Sequence, residues 1–404
     1  MAEAAPKSET LVNRGTRSQL GNYRPQPVVI VSGEGAHVID ADGKRYIDMV
    51  SGIAVSALGH NHPRLVEAVQ QQASKILHVS NLFWNEQAVA LADKLTSSSF
   101  GEKVFFCNSG AEANEAMLKL ARRYFHEKGE GRFEIIAMEK SFHGRTMAAV
   151  TCTGQEKYHL GFEPLLPGVR HVPFADLGAL ESAITERTAA ILLEPIQGEG
   201  GIRVPPVGFL RGVRDLCTKN GCLMLLDEVQ SGIGRTGTLF AYQHEGVEPD
   251  AMSLAKGIGG GMPLGAMVTT NEIGAALTPG SHGSTYGGNP VACAAGNVVL
   301  DEVGKPEFLK RVQELGEHCL SRLFAMQRSH KRVAGEARGR GLWCGLELTV
   351  DGSKLPRRAL QKGLVLNVIG GRVVRIAPPL TIERETLDAG LDILDGLLGE
   401  LERE

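Results

Sequence analysis

From about residue 86 to residue 270, short apolar runs alternate with longer stretches of helical periodicity, and no other feature constrains the fold as strongly. The runs are KVFFC, FEIIAM, AAILLEP, CLMLLDEV, AMSLA and LGAMVTT, separated by segments such as AEANEAMLKLARRYFHE and VGFLRGVRDLCTKNG. Apolar runs of that length, without strict polar alternation, suit strands covered on both faces. Such strands require a mostly parallel sheet with helices on either side, an α/β architecture. Glycines cluster where the runs end, in GIGRTG, GIGGG and YGGNP, so the loops at that edge must approach something closely.

The flanks read differently. Residues 27–50, PVVIVSGEGAHVIDADGKRYIDMV, have a hairpin pattern with turns at Gly33–Gly35 and Asp42–Gly43. After about residue 300, helical periodicity returns in EFLKRVQELGEHCLSRLFAMQ. The strand-like RGLWCGLELTV and RVVRIAPPL follow, then a closing helix around ERETLDAGLDILDGLLGEL. The expected division is a large domain over residues 71–300, with residues 1–70 and 301–404 contributing to a smaller α+β domain. A chain of 404 residues, 43% of them hydrophobic, is long enough for both cores.

A formal net charge of -3 supplies no basic field for nucleic acid or an anionic membrane, so small molecules are the expected partners. The amino-terminal stretch lacks the apolar centre of a signal peptide, and Glu3 and Glu9 go against an acid-poor transit sequence. No apolar run approaches the roughly 20 residues of a membrane span. Seven cysteines without paired spacing argue for a reducing compartment, most simply the cytoplasm.

Lys256 closes the run AMSLAK and is followed at once by GIGGG. That places it at the carboxyl edge of the sheet, where open α/β folds bind ligands. Alone it reads as a solvated strand end. Asp227, which alone reads as a cap or loop acid, closes the run CLMLLDEV and so stands at the same edge. Together they suit pyridoxal phosphate chemistry. There a lysine forms an imine and moves a proton, while an aspartate keeps the pyridine nitrogen protonated. A buried carboxylate without a cationic partner costs roughly several kcal/mol, and a pyridinium offsets that cost. Upstream, FFCNSGAEANEAMLKLA reads as strand, turn and helix start, with Ser109, Gly110 and Ala111 at the junction. Free N–H groups there, with the Ser109 hydroxyl, make a phosphate cradle, although a serine in that place is also an ordinary N-cap.

Four other patterns carry less. GIGRTG at Gly232–Gly237 matches the dinucleotide glycine spacing but has no acid ending a strand about 20 residues on. Ser253 and Lys256 spell SxxK, which as a nucleophile pair belongs at a helix start rather than a strand end. His60 and His62 lack a third ligand, and no metal site is expected. Cys107 reads as a small buried hydrophobe.

Six ordered motifs, CNSGAEANE, SFHGRT, EPIQGEGG, DEVQSGIGRTG, SLAKGIGGGMPLGA and SHGSTYGGNP, together resemble the class III, ornithine-type aminotransferases from about residue 20 to the end. The resemblance implies pyridoxal 5'-phosphate as cofactor and fold type I of the PLP-dependent transferases, with a mostly parallel seven-stranded sheet. By the same resemblance Lys256 is the Schiff-base lysine and Asp227 the partner of the pyridine nitrogen. Phe142 stacks on one face of the ring, Val229 covers the other, and Gln230 bonds the ring hydroxyl. Gly110 and Ala111, beside Ser109, hold the phosphate. Thr285 reaches that phosphate from the neighbouring subunit, which makes a homodimer part of the site.

For substrates, the resemblance implies Arg145 on the α-carboxylate of N2-acetylornithine and on the distal carboxylate of 2-oxoglutarate. Arg375 takes the α-carboxylate of glutamate, Glu199 is its partner otherwise, and Ser284 belongs to the substrate site. A planar guanidinium takes a carboxylate through two parallel charge-assisted bonds, each contributing roughly 1.5–3 kcal/mol. The implied reaction passes the δ-amino group of N2-acetylornithine to 2-oxoglutarate, reversibly, as in arginine biosynthesis. Succinylornithine, ornithine and 4-aminobutyrate are the alternative donors. Aminomutases and decarboxylases share the lysine and aspartate, but the two arginines argue for transamination. Ile53, where ornithine-specific relatives have a tyrosine, favours an acylated donor.

Overall fold

The computed structural model describes residues 7–404; Glu3 lies outside the described residues. Residues 27–50 hold three strands rather than the two of a hairpin: β1 (Ile30–Glu34), β2 (His37–Asp40) and β3 (Arg45–Asp48), an antiparallel meander. The expected turn at Asp42–Gly43 falls between β2 and β3, whereas of Gly33–Gly35 only Gly35 lies between strands, Gly33 and Glu34 being paired in β1; Gly35 and Gly43 take positive φ.

The central sheet contains β4 (Lys103–Cys107), β5 (Glu134–Met138), β6 (Val169–Val172), β7 (Thr188–Leu193), β8 (Leu223–Asp227), β9 (Ala251–Leu254) and β10 (Gly265–Thr269). Their order is β4-β10-β9-β8-β7-β5-β6. Only β10 runs against the rest, pairing antiparallel with both β4 and β9. The sheet therefore has the expected seven strands and is mostly parallel. Six of them are the six apolar runs. The seventh, β6, reads VRHV and lies at the edge of the sheet, so it lacks the apolar run that marks a strand buried on both faces.

Alternate residues of the interior strands enter two separate cores. Met224 and Leu226 of β8, with Ile191 and Leu193 of β7, face one; Leu223 and Leu225, with Ala190 and Leu192, face the other. Each fully buried Leu or Ile contributes roughly 1.5–3 kcal/mol, which fixes strand register as well as stability. The helix Gly110–Glu127 covers the second face with Met117, Leu120 and Ala121.

The carboxyl-terminal part adds β11 (Ala334–Gly339), β12 (Cys344–Leu348), β13 (Leu364–Val365), β14 (Asn367–Ile369) and β15 (Val373–Ile376). Four of these make an antiparallel sheet in the order β11-β12-β15-β14, while β13 pairs in parallel with β3 of the amino-terminal meander. The helices Pro306–Ser329 and Arg384–Glu402 fall on the two segments of helical periodicity. No helix among the described residues is long and apolar enough to cross a membrane.

Candidate active site

The carboxyl ends of β4, β5, β7, β8 and β9 share one edge of the sheet, and a cavity of about 420 Å³ opens there. Nine residues singled out from sequence line it: Ser109, Gly110, Ala111, Phe142, Arg145, Asp227, Val229, Gln230 and Lys256. Arg375 and Glu199 lie one layer behind, reached through Gln230, whose Oε1 accepts from Arg375 Nη1 at 3.1 Å. Ser284 and Thr285 are not in this chain's cavity. Ser284 Oγ instead accepts from Asn108 Nδ2 at the cavity rim and lines a separate groove.

Lys256 follows β9 by one residue and opens a short 3-10 turn with φ +48°, a left-handed conformation that costs a side-chain-bearing residue about 1–2 kcal/mol. The packing around β9 holds it there with its amine in the cavity. Among the described residues Lys256 Nζ has no hydrogen-bond or ion-pair partner. Burial lowers its pKa, and the nearby Glu199 and Asp227 only partly oppose this.

Asp227 ends β8 directly opposite Ser253 of β9. Its Oδ2 accepts from Asn114 Nδ2 at 2.8 Å and from His143 Nδ1 at 2.7 Å, and its Oδ1 accepts from Val229 N at 3.0 Å. Burial alone would raise the carboxyl's pKa; these donors outweigh it and the net shift is downward. Since a carboxylate only accepts, His143 carries its proton on Nδ1, which leaves the buried Nε2 without a partner among the described residues. Asn114 is oriented in turn by Ser253, whose Oγ donates to Asn114 Oδ1 at 2.7 Å. Ser253 is thus a buried support of the aspartate rather than half of an SxxK pair. Asn114 and His143 went unread in the sequence. Asn114 had one signal, a polar residue on the apolar face of an amphipathic helix.

Glu194 follows β7 as Asp227 ends β8. Its oxygens accept from Phe142 N at 3.0 Å and Gly198 N at 2.8 Å, while burial pushes its pKa up to about 7. This carboxyl anchors the strap that carries Phe142. Ser109 caps the helix Gly110–Glu127: its Oγ accepts from Glu112 N at 3.2 Å and donates to Glu112 Oε2 at 3.0 Å. The hydroxyl is therefore already engaged, and the amides of Gly110 and Ala111 are the donors at this helix start without a partner among the described residues. A Cβ at Gly110 would fall 2.7 Å from a Val229 methyl, so glycine there lets the wall of the cavity close.

At the cavity mouth, Ser51, Gly52, Ile53 and Ala54 all have φ between 46° and 67°, a left-handed turn. Asp48 clamps it. One carboxylate oxygen accepts from Val50 N and Ser51 N, and the other pairs with His60 Nε2 at 2.8 Å. His60 therefore holds a strained loop. The turn presents Ile53 at 39% exposure and places Val55 in the cavity wall. Cys107 is buried with its thiol pushed up to about 12, as a small hydrophobe would be.

The pattern described as Aminotransferase class-III matches residues 20–398. The chain belongs to the class-III aminotransferases. It is 50% identical to an acetylornithine aminotransferase of Caldanaerobacter subterraneus subsp. tengcongensis, over 95% of this chain and 97% of that one. It is 46% identical to the succinylornithine transaminase/acetylornithine aminotransferase of Pseudomonas aeruginosa, over 96% of each. Among solved structures, an ornithine aminotransferase of Toxoplasma gondii with partial occupancy of PLP at its active site superposes with a TM-score of 0.93 at 31% identity, covering 99% of this chain and 97% of that one. This class-III enzyme is a pyridoxal-phosphate-dependent aminotransferase.

Proposed function

We propose that this aminotransferase moves the δ-amino group of N2-acetylornithine to 2-oxoglutarate, giving N-acetylglutamate 5-semialdehyde and glutamate, in the cytoplasmic route to arginine. The observation that carries the reading is a pair of arginines in two layers of one site: Arg145 lines the cavity with no ion pair among the described residues, and Arg375, behind Gln230, is loaded with Glu199. A donor with one carboxylate and an acceptor with two can then share a site, because the second arginine is neutralised whenever its substrate carboxylate is absent.

The residues fit the cofactor. The unpaired Gly110 and Ala111 amides would hold the phosphate at the positive end of a helix, with Ser109 shaping the turn. Phe142 and Val229 would supply apolar walls for the ring, and Gln230 would reach its hydroxyl. Asp227, kept ionised by three donors, would hold a proton on the ring nitrogen. Bound there, pyridoxal phosphate supplies an electron sink for the carbanion left when the donor carbon loses its proton. Lys256 Nζ would move that proton, and the burial that lowers its pKa keeps the amine available as a base. Arg145 would hold the donor's α-carboxylate and the distal carboxylate of 2-oxoglutarate, and Arg375 the α-carboxylate of glutamate.

A homodimer belongs to this reading. Thr285 would reach the phosphate of the partner subunit, with Ser284 at the partner's substrate site. The exposed apolar residues Phe83, Trp84 and Tyr286 near the same groove support a second copy seated there. The pairing of β13 with β3 supports a small domain drawn from residues 1–70 and 301–404 around a large one over 71–300.

Lys256→Ala should purify without a borohydride-reducible link to the cofactor and should not turn over; wild-type turnover would remove the assignment. A panel of acetylornithine, succinylornithine, ornithine and 4-aminobutyrate against 2-oxoglutarate, compared by kcat/KM, tests the donor. Ile53 at the mouth offers no hydroxyl to a free α-amine, so the acylated donors should lead.

A further inference from the structure

Arg145 is held in an unusual way for a receptor of carboxylates. It lies on the strap between β5 and the helix Met147–Cys152, and no hydrogen bond or ion pair ties its guanidinium among the described residues. What holds it is aromatic. The guanidinium carbon sits 3.9 Å from the centroid of the Tyr158 ring and 5.6 Å from that of Phe142. The two rings meet edge to face at 5.7 Å and 78°.

Tyr158 is 13 residues beyond Arg145 in sequence, yet the chain brings it back by a fixed route. Lys140 N donates to Gly154 O at 2.7 Å, Gly154 N to Ser141 Oγ at 3.0 Å, and Gln155 Nε2 to Ser141 O at 3.0 Å. Tyr158 N then donates to Gln155 O at 3.0 Å, closing the 3-10 turn Glu156–Tyr158. The segment bearing Tyr158 is therefore bolted to the same strap that bears Phe142 and Arg145. The Tyr158 hydroxyl makes no hydrogen bond among the described residues, so the ring face is what the residue contributes.

We propose that Tyr158 is a positioning residue for substrate recognition: its ring holds the Arg145 guanidinium in place while leaving the N–H donors free for a carboxylate. An acidic partner would fix the arginine equally well but would occupy the donors the substrate needs. A π face attracts the cation without accepting its N–H bonds in plane. The inference rests on the reading of Arg145 as the carboxylate receptor, and the two can fail separately.

The test uses the holoenzyme and three variants: Tyr158→Leu, Tyr158→Phe and Arg145→Ala. The readouts are kcat and KM for acetylornithine, the melting temperature, the visible absorption of the bound cofactor, and the Kd of N2-acetylnorvaline. That analogue keeps the carboxylate but has no δ-amine to react. Tyr158→Leu should raise KM and Kd roughly 2- to 5-fold, the range of an exposed cation–π contact, with kcat and the spectrum unchanged. Tyr158→Phe, which retains a ring, should restore both constants to wild type. If Tyr158→Leu binds the analogue as wild type does while Arg145→Ala does not, the positioning role is overturned. If Leu and Phe variants lose kcat and melting temperature alike, the residue is only structural and the proposal is again overturned. Unchanged binding by Arg145→Ala would remove the receptor reading, and the inference with it.

Discussion

Arg145 in the cavity wall and Arg375 one layer behind it are the same residue type held by opposite physics. Arg375 projects from β15 with 1% of its surface exposed, ion-paired to Glu199 and donating to Asn367 Oδ1 at 2.8 Å and Gln230 Oε1 at 3.1 Å. Arg145 sits on a strap, exposed, against two aromatic faces. A buried guanidinium cannot be left unpaired, so Arg375 can accept a substrate carboxylate only by exchanging it for Glu199. Arg145 needs no such exchange. Under the proposed function, the difference teaches how one site would serve two substrates: an open receptor for the carboxylate both share, and an occupied one that would release its resident acid only to an incoming anion.

The largest effect should come from the buried arginine. Arg375→Ala leaves Glu199 without its cation and removes the proposed glutamate contact, a loss of about 2–5 kcal/mol for a desolvated charge pair. Single-turnover kinetics should show kcat/KM for glutamate falling by roughly 30- to 5,000-fold while the acetylornithine half stays within about threefold. Arg145→Ala comes next. Its guanidinium is exposed, so solvent screening leaves the whole two-bond contact worth roughly 1.5–3 kcal/mol, and its loss should weaken both half-reactions by about 10- to 150-fold. Equal losses in both half-reactions for both variants would erase the contrast.

How much of this was legible in the sequence follows the same divide between local pattern and tertiary encounter. Five interior strands announced themselves because burial on both faces demands unbroken apolar runs; of the two edge strands, which escape that demand, β4 kept an apolar run and β6 did not. Asp227 and Lys256 were readable at strand ends, where the sheet's geometry delivers side chains to a common edge. The donors that keep Asp227 ionised, Asn114 and His143, come from a helix interior and a strap, and only folding places them within 2.8 Å. The same holds for Tyr158, whose contact with Arg145 depends on the Ser141 to Gln155 clamp rather than on spacing. The strain at Lys256 and at Ser51–Ala54 was equally hidden, since left-handed φ on Ile, Ala, Ser and Lys is imposed from outside and opposes their own preference.

A subtler change targets the resident acid. Glu199→Gln keeps the shape beside Arg375 but removes the competing charge, so glutamate should bind more tightly, by a few fold, and the acetylornithine half should slow because Arg375 is then left unneutralised. The pH dependence has a defined sign. Burial works against the Glu199 carboxylate, but Arg375 holds its pKa below the ordinary glutamate value. A carboxyl depressed on folding contributes stability above its unfolded pKa, near 4.5, and loses it as pH falls through the folded value. The melting-temperature gap between wild type and Glu199→Gln should accordingly be full at neutral pH and close only below about 4.5. A gap that widened on acidification would contradict the pair's role.

The smallest effect separates the two arginines by screening alone. At 0.01 M salt the Debye length is about 30 Å and at 1 M about 3 Å, so an exposed cation loses attraction for an approaching anion while a buried pair does not. If Arg145 receives the donor's carboxylate as proposed, raising ionic strength should therefore increase KM for acetylornithine by up to about threefold. The proposed Arg375–Glu199 exchange swaps one carboxylate for another on a buried guanidinium and changes no net charge there. Its contribution, read as the ratio of wild-type to Glu199→Gln affinity for glutamate, should stay constant across the same salt range. If that ratio tracked salt as steeply as the acetylornithine KM, Arg375 would have to be solvated in the working enzyme. The distinction between an open and an occupied receptor would then reduce to a difference in position.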